Sequence, residues 1–336
     1  MFGAPEPRQH TMNVWNLLWT YVQKPPPDNR KKACCVVNGS RHARKNAKVG
    51  YTFANSLGQD SERLFWALAA KHGMLVIGAD VSNAFAEAPT MHNELYIRPD
   101  DVFRDWWENH KNRPPIPNGW VLRIMYAFQG HPEASRLWER HIDNILQQHL
   151  QLKPTHHEPC LYSGTTADTY VLLLRQVDDF AAGIMTEDIG KILINNIDQH
   201  LRIRIKYQGQ LTMFNGMDIV QTHDYIKLHC GTYIKKALGN HSNLVTDAKT
   251  KPYPVPYPAD HQYTTNLDTA IPPQTETEQQ QLSKKMNINY RQVIGLWIWP
   301  MIKCRPDISF HISKLIIHWQ IHQWPIMKPS NTCLNI

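Results

Sequence analysis

Two adjacent aspartates, Asp178 and Asp179, lie between two apolar runs, and this arrangement constrains the fold more than any other feature. The runs are Tyr170-Val-Leu-Leu-Leu-Arg-Gln-Val177 and Phe180-Ala-Ala-Gly-Ile184. Short runs of this composition are typical of buried strands. Asp favours the turn between them because its side chain accepts hydrogen bonds from nearby backbone N–H groups. The pattern predicts a β-hairpin with carboxylates at its tip, which form either a solvated turn or ligands for a hard cation such as Mg²⁺.

A third aspartate, Asp80, ends another apolar run, Met74-Leu-Val-Ile-Gly-Ala79, and Phe85 follows five residues later. Carboxylates from two strand ends can bridge two Mg²⁺ ions about 3.5–4 Å apart, the arrangement that drives in-line phosphoryl transfer. Taken alone, Asp80 also fits the N-cap of a helix that follows a strand. Phe85 also fits a core residue on that helix.

Strand and helix patterns mix along the chain without strict alternation, which favours an α+β fold. Capping residues and 3.6-residue periodicity predict helices over 60–73, 133–150 and 186–201. Strands are predicted over 75–80, 121–125, 211–220 and 225–228, the last two as a hairpin. The polar, proline-rich stretch 100–119 is predicted to be a loop.

Composition limits the class of protein. With 336 residues and 42% hydrophobic content, the chain can bury a core of two or three subdomains. A formal net charge of +7 suits a polyanionic partner such as nucleic acid, although basic proteins without such a partner are common. The six cysteines form no Cys-x-x-Cys pair, which favours free thiols in a reducing compartment. The apolar segment 293–302 is too short to span a bilayer and is predicted to be a buried helix.

Ordered motifs resemble the reverse transcriptase domain of copia-type (Pseudoviridae) LTR retrotransposons over about residues 15–318. The motifs are Lys31-Lys-Ala-Cys-Cys-Val36, the helix Ser61-Glu-Arg-Leu-Phe-Trp-Ala-Leu-Ala-Ala70, Asp80-Val-Ser-Asn-Ala-Phe85, Glu94-Leu-Tyr-Ile-Arg-Pro99, Gln129-Gly-His-Pro132 with Arg136-Leu-Trp138, Val177-Asp-Asp179, Lys206-Tyr-Gln-Gly209, Phe214-Asn-Gly-Met-Asp-Ile219 and Cys304-Arg-Pro-Asp-Ile-Ser309. Each motif is short, but their order along the chain is that of the family.

The resemblance implies a right-hand polymerase fold with fingers, a palm built on an antiparallel sheet, and a thumb, truncated before any ribonuclease H domain. It divides the chain into a partial N-terminal segment (1–30), fingers, palm and the start of the thumb (31–240), and a thumb- or connection-like helical segment (286–318). Proline and glutamine predict an extended linker over 241–285, and 319–336 is expected to be an irregular tail.

The resemblance also implies an RNA-directed DNA polymerase that adds deoxynucleotides to a primer 3′-hydroxyl. Asp80 and Asp178 would hold two Mg²⁺ ions (or Mn²⁺), with Asp179 in a supporting position and the Val81 backbone carbonyl as a further ligand. Residues implied to bind the nucleotide are Lys32, Phe85, Gln129, Gly130 and Lys206, and those implied to contact primer or template are Gln176 and Gly216. Considered alone, Lys32 and Lys206 also fit solvated surface lysines.

The implied partners are an RNA or DNA template with its primer, deoxynucleoside triphosphates, and an element-encoded capsid, integrase and ribonuclease H. The expected location is a cytoplasmic virus-like particle or the nucleus, with neither secretion nor a membrane. The oligomeric state is left open.

Two departures from the family pattern bear on activity. The family's phosphate-clamping arginine falls on Cys34, which supplies neither a positive charge nor a fork of donors. The tyrosine before Val-Asp-Asp is Gln176. The sequence therefore leaves open an inactive, nucleic-acid-binding remnant and a degenerate fragment of the same polyprotein.

Overall fold

The computed structural model describes residues 1–23, 29–40, 49–89, 95–240, 265, 275–286 and 289–320. The chain divides into two compact units. The first comprises Met1–Leu211 with Gln221–Tyr225, and the second comprises Thr212–Val220 with Ile226–Ile336. Strands and helices are mixed in both units, so the fold is α+β, as the sequence predicts.

A six-stranded antiparallel sheet forms the centre of the first unit, in the order β11-β4-β10-β9-β8-β7. Both strands of the predicted acidic hairpin belong to it, and the hairpin prediction is confirmed. The strands are β4 Leu75–Val81, β7 Lys153–Pro154, β8 Leu161–Thr166, β9 Thr169–Gln176, β10 Asp179–Ile184 and β11 Ile205–Gln210.

Alternate residues of the central strands β4 and β10 face opposite sides of this sheet. On one side, residues such as Ala79 and Phe180 are buried against α3 (Ala134–Asn144, continued by a π turn Ile145–His149) and α4 (Glu187–Asp198). The same alternation places Asp80 and Asp179 on the opposite side. The apolar pattern of the strands thus decides which face carries the acidic residues.

The predicted helices lie where expected, with different ends. α1 spans Gln59–Lys71 with Gly58 as its N-cap, so it begins one residue before the predicted start at residue 60. Gly73, where the predicted helix ends, adopts φ +61°, a left-handed conformation that glycine accepts at little cost. α3 and α4 confirm the other two predicted helices.

A five-stranded sheet in the order β1-β6-β5-β2-β3 completes the first unit. Its aromatic core contains Trp15, Phe103, Trp107 and Phe128. Two of its strands come from residues before 31, the segment expected to be a partial N-terminal piece. The strands are β1 Phe2–Pro7, β2 Asn13–Gln23, β3 Lys31–Val37, β5 Leu95–Arg98 and β6 Trp120–Ile124.

The loop predicted over 100–119 is wrong in its first half. Helix α2 spans Asp101–Asp105 and continues as a π turn over Trp106–His110. The Asp100 side chain caps α2 by accepting a hydrogen bond from the Phe103 amide at 2.8 Å. Burial of Phe103 and Trp107 favours the helix over a loop.

The second unit contains a three-stranded sheet and four described helices. The predicted strand 211–220 is wrong as a single element, because a turn at Asn215-Gly216 (φ +47° and +79°) divides it into β12 and β13. The bounds are β12 Met213–Phe214, β13 Met217–Gln221, β14 Ile226–His229, α5 Gly231–Asn240, α6 Glu276–Met286, α7 Tyr290–Lys303 and α8 Ser309–Gln320.

The predicted linker 241–285 lies outside the described residues except for 265 and 275–285, and the latter are largely helical in α6. Of the tail predicted over 319–336, residues 321–336 also lie outside them. None of the helices within the described ranges is long and apolar enough to cross a membrane.

Candidate active site

A row of four polar residues crosses four adjacent strands at one level of the six-stranded sheet. Asp80 on β4 is the cross-strand partner of Asp179 on β10 and, on its other side, of Lys206 on β11. Asp179 in turn pairs with Gln176 on β9. Directly opposed residues of antiparallel strands have Cβ atoms about 4.5–5.5 Å apart, and like charges in such positions are destabilising. The sheet therefore presents two carboxylates against each other, next to one lysine.

Asp178 lies beside this row, in the two-residue turn that joins β9 to β10. Its partner in the turn, Val177, adopts φ +57°, a conformation that is rare for a β-branched residue. The backbone of the turn is fixed on both sides. The Val81 amide donates to the Asp178 carbonyl at 3.0 Å, and the Trp138 indole donates to the Val177 carbonyl at 2.7 Å.

The electrostatics of the three carboxyl groups are those of a crowded anionic site. Burial, and then repulsion from Asp178 and Asp80, raise the pKa of Asp179 to about 6. Burial and the Asp80 charge also raise the pKa of Asp178, although a backbone hydrogen bond and the Lys32 ammonium act in the opposite direction. A cation bound here would remove the repulsion that causes these shifts.

The three carboxylates are better suited to Mg²⁺ than to a metal ion whose ligands all come from the protein. Within the described ranges, no three His, Cys, Asp or Glu side chains converge as a ready-made metal site. Mg²⁺ in phosphoryl-transfer sites is commonly bound by one or two carboxylates, with substrate phosphates and water as the remaining ligands. Asp80, Asp178 and Asp179 can supply such a partial ligand set.

Strand β3 brings a positive charge towards these carboxylates. Lys32 is exposed, and its ammonium group lies near enough to lower the pKa of Asp178. Cys34 occupies the next position on the same face of β3, since residues two apart in a strand share a face. Cys34, which the resemblance aligns with the family's arginine, is therefore on the face of β3 that carries Lys32, and it is half-buried.

Phe85 and Gln129 line a cavity of about 480 Å³ on the other face of β3, where Ala33 and Cys35 form part of the wall. Phe85 lies in a 3₁₀ turn, Ala84–Glu87, soon after Asp80. It also packs against the core of the six-stranded sheet, so the alternative interpretation as a core residue is partly correct. Lys32 thus lies on one face of β3, whereas Phe85 and Gln129 line the cavity on the other.

Gly130 allows the backbones of two distant segments to approach closely. It adopts φ +87°, and a Cβ atom at this position would overlap the Val37 carbonyl at the end of β3. The Val37 amide donates to the Gln129 carbonyl at 2.8 Å, and a Cβ on Gly39 would overlap the Gly130 carbonyl. The positive φ of Gly130 thus serves a close backbone approach to β3, and its contact with the nucleotide stays a prediction.

The remaining predicted site residues are Val81, Gln176 and Gly216. Val81 is buried, and its amide bonds to Asp178 as described. Gln176 has a buried side-chain oxygen with no hydrogen-bond partner among the described residues. Gly216 belongs to the second unit, where its turn packs against Trp299.

The sequence did not identify two features of the turn. Trp138 enters the sequence analysis only as part of a motif that resembles the family, yet it is 1% exposed and its indole donates to a carbonyl 39 residues away. No local pattern predicts that contact. The left-handed Val177 was also missed, although a two-residue hairpin turn usually requires at least one positive φ, which would have been the available signal.

Replacing Val177 by glycine should stabilise the protein. A left-handed non-glycine residue costs about 1–3 kcal/mol, and glycine returns about 0.5–1 kcal/mol of this as backbone entropy. We expect the free energy of unfolding to rise by about 1 kcal/mol in urea titrations. Ala167→Gly is the matched control, since Ala167 (φ +46°) lies in the turn at the other end of β9, and its smaller side chain should give a smaller rise. A loss of stability in Val177→Gly would contradict the strain.

The family model described as "Reverse transcriptase (RNA-dependent DNA polymerase)" matches residues 6–256. A search of curated proteins found no match. Solved structures similar to this chain include the foamy viral protease-reverse transcriptase dRH with double-stranded DNA (11% identity, TM-score 0.39, covering 88% of this chain and 37% of that one).

Another is the foamy viral protease-reverse transcriptase with double-stranded DNA (12% identity, TM-score 0.40, covering 96% of this chain and 54% of that one). The chain thus spans 37% and 54% of these two proteins. The family match covers most of the sequence and includes every strand of the six-stranded sheet. The chain therefore belongs to the reverse transcriptase (RNA-dependent DNA polymerase) family.

Proposed function

We propose that this chain is the RNA-directed DNA polymerase domain of a copia-type retrotransposon, with a right-hand arrangement of fingers, palm and thumb. The observation that carries the proposal is the cross-strand pair of Asp80 and Asp179, with Asp178 in the adjoining turn. An isolated sheet gains nothing from opposed carboxylates. A two-metal phosphoryl transferase requires them.

In this proposal, Asp80 and Asp178 hold two Mg²⁺ ions, with Asp179 and the Val81 carbonyl in support. When bound, the metal ions activate the primer 3′-hydroxyl and neutralise charge on the leaving pyrophosphate. The chain's own part is to position the reactants, since phosphoryl transfer depends mainly on geometry and electrostatics. Lys206, beside Asp80, holds a proton near the leaving group, and Lys32 binds the triphosphate from β3.

In the same scheme, Phe85 selects deoxynucleotides and Gln129 contacts the incoming nucleotide. A bulky ring near the sugar excludes a ribose 2′-hydroxyl sterically, which favours deoxynucleotides. Gln176, the cross-strand neighbour of Asp179, is proposed to contact the primer terminus. Gly216 is proposed to contact primer or template. The wider partners are a primer–template and, within a virus-like particle or the nucleus, the element's capsid, integrase and ribonuclease H.

A specific observation favours a second candidate, a nucleic-acid-binding remnant without activity. Cys34 shares the face of β3 that carries Lys32, where the resemblance places a phosphate-clamping arginine. Without a guanidinium there, the triphosphate loses a bidentate donor and one positive charge. Primer–template binding without nucleotide incorporation would identify the remnant.

The test is primer extension on an oligo(dT)-primed RNA template with Mg²⁺, comparing the parent with Cys34→Arg. We expect the variant to raise kcat/KM by about tenfold or more, since hydrogen bonds to charged groups contribute about 1.5–3 kcal/mol. The gain should appear mainly as a lower KM for the nucleotide. Cys34→Gln is the control, because it adds length and polarity without charge. Equal activity in all three proteins would contradict the assigned role of position 34.

A further inference from the structure

The turn that carries Asp178 is fixed by a side chain from outside its sheet. Trp138, on α3, is 1% exposed, and its indole N–H donates to the Val177 carbonyl at 2.7 Å. On the other side of the same turn, the Val81 amide donates to the Asp178 carbonyl at 3.0 Å. Two successive carbonyl groups are thus held by donors from α3 and β4.

The Trp138 indole cannot readily exchange the Val177 carbonyl for another acceptor. The indole N–H is a donor only, and a buried donor without a partner costs about 1–3 kcal/mol. Val177 meanwhile adopts a left-handed conformation that a valine avoids when its surroundings do not impose it. The buried indole therefore favours the one orientation of the Val177–Asp178 peptide that keeps the hydrogen bond.

The orientation of this peptide sets the direction of the Asp178 side chain. Rotating the peptide about the turn moves the Cα–Cβ bond of Asp178 with it, because the two share the intervening backbone. An ion pair between Glu139 on α3 and the buried Arg175 on β9 (3.5 Å) also holds α3 against the hairpin. α3 therefore keeps Trp138 in a fixed position relative to the turn.

We propose that Trp138 is a positioning residue for Asp178, acting through the Val177 carbonyl and not by contact with template or nucleotide. The inference rests on the proposed polymerase function and assigns to it a residue that no substrate touches. Its effect on the reaction is on geometry alone, so it should alter kcat and leave nucleotide binding nearly unchanged.

The test compares Trp138→Phe with Trp107→Phe. Trp107 is a matched control, since it is also buried (7% exposed) and its indole also donates to a backbone carbonyl, that of Pro114 at 3.1 Å, away from the hairpin. Both variants keep an aromatic ring and lose one indole donor. Three quantities are measured: urea stability, hydrogen–deuterium exchange of the hairpin peptide 170–184, and steady-state primer extension.

We expect both variants to lose similar stability, while only Trp138→Phe speeds exchange in peptide 170–184. We also expect only Trp138→Phe to lower kcat, by about ten- to a hundredfold, with KM for the nucleotide within about twofold. If kcat falls equally in both variants, or if exchange in 170–184 is unchanged in Trp138→Phe, the proposal is overturned.

The exchange measurement separates this inference from the proposed function. If the parent does not extend a primer, exchange in peptide 170–184 still decides whether Trp138 holds the turn, and the kinetic comparison moves to the Cys34→Arg background. Faster exchange with unchanged kcat in an active protein would leave Trp138 a packing residue and refute its positioning role. Failure of the polymerase assignment and failure of the inference therefore give different results.

Discussion

Primer extension should be lost when Asp178 is replaced by asparagine, with a fall in kcat/KM of at least about a thousandfold. Asparagine keeps the size of the side chain and removes the charge that a divalent cation requires, and metal-assisted stabilisation of the transition state is worth several kcal/mol. Binding of the primer–template should change little, because it depends on contacts spread over the protein. Fluorescence anisotropy of a labelled primer–template beside the extension assay measures both quantities.

The control for this variant is Asp168→Asn, in the exposed turn at the other end of β9. Asp168 has a positive φ (+58°), which asparagine tolerates, and it lies away from the acidic row. It should retain full extension. Parent-like extension by Asp178→Asn would refute the metal-binding role of this carboxylate.

The same substitution should stabilise the protein when divalent cations are removed. The folded state raises the pKa of Asp178 above its ordinary value of 3.8, so the folded protein binds more protons just above that pH than the unfolded chain does. The contribution of Asp178 to the free energy of unfolding therefore falls as the pH rises through the pKa that this carboxyl has in the folded protein. In EDTA at pH 7, urea titration should show Asp178→Asn to be more stable than the parent, and the difference should disappear as the pH falls below 3.8.

Replacing Gly130 by alanine should lower the free energy of unfolding by about 3 kcal/mol, from the left-handed penalty together with overlap in a packed site. The new Cβ would overlap the Val37 carbonyl and break the hydrogen bond from the Val37 amide to the Gln129 carbonyl. Because β3 also carries Lys32, we expect the KM for the nucleotide to rise as β3 shifts. Urea titration and steady-state kinetics of soluble protein test both effects.

The Gly119→Ala variant separates the cost of a left-handed backbone from the cost of steric overlap. Gly119 has a similar φ, +81°, and a Cβ there would meet no heavy atom within 4 Å. The control should therefore show only the conformational penalty, about 1–2 kcal/mol, with unchanged KM. Equal losses in Gly130→Ala and Gly119→Ala would mean that the close approach to β3 is unimportant.

The strands and helices that border the acidic residues could be predicted from sequence because their signals are local. The runs around Asp178 and before Asp80 have the length and composition of buried strands, and α3 and α4 show helical periodicity. Recognition of the family rested on the same local runs and their order. That Asp80 and Asp179 lie on the same face also follows once both strands join one sheet and their apolar faces must coincide, but their direct pairing depends on the register.

What could not be predicted depends on contacts between distant segments. The bond between Trp138 and Val177 is one example, and the contact between Gly130 and β3 is another. α2 was missed because its helix-forming signal is weak and its stability comes from burying Phe103 and Trp107. The two faces of β3 follow from alternation, but what each face meets depends on tertiary packing.

The strand order of the five-stranded sheet has a consequence for synthesis of the protein. Among the described strands β1 pairs with β6 alone, so Phe2 meets its partner Ile124 after the intervening chain has been made. β2 likewise cannot pair with β5, its parallel neighbour, until β5 has been synthesised. Until then both strands have unpaired edges, which are sites of aggregation in nascent chains. Recombinant production should therefore be limited by insolubility during translation, and slower synthesis at low temperature should raise the soluble yield.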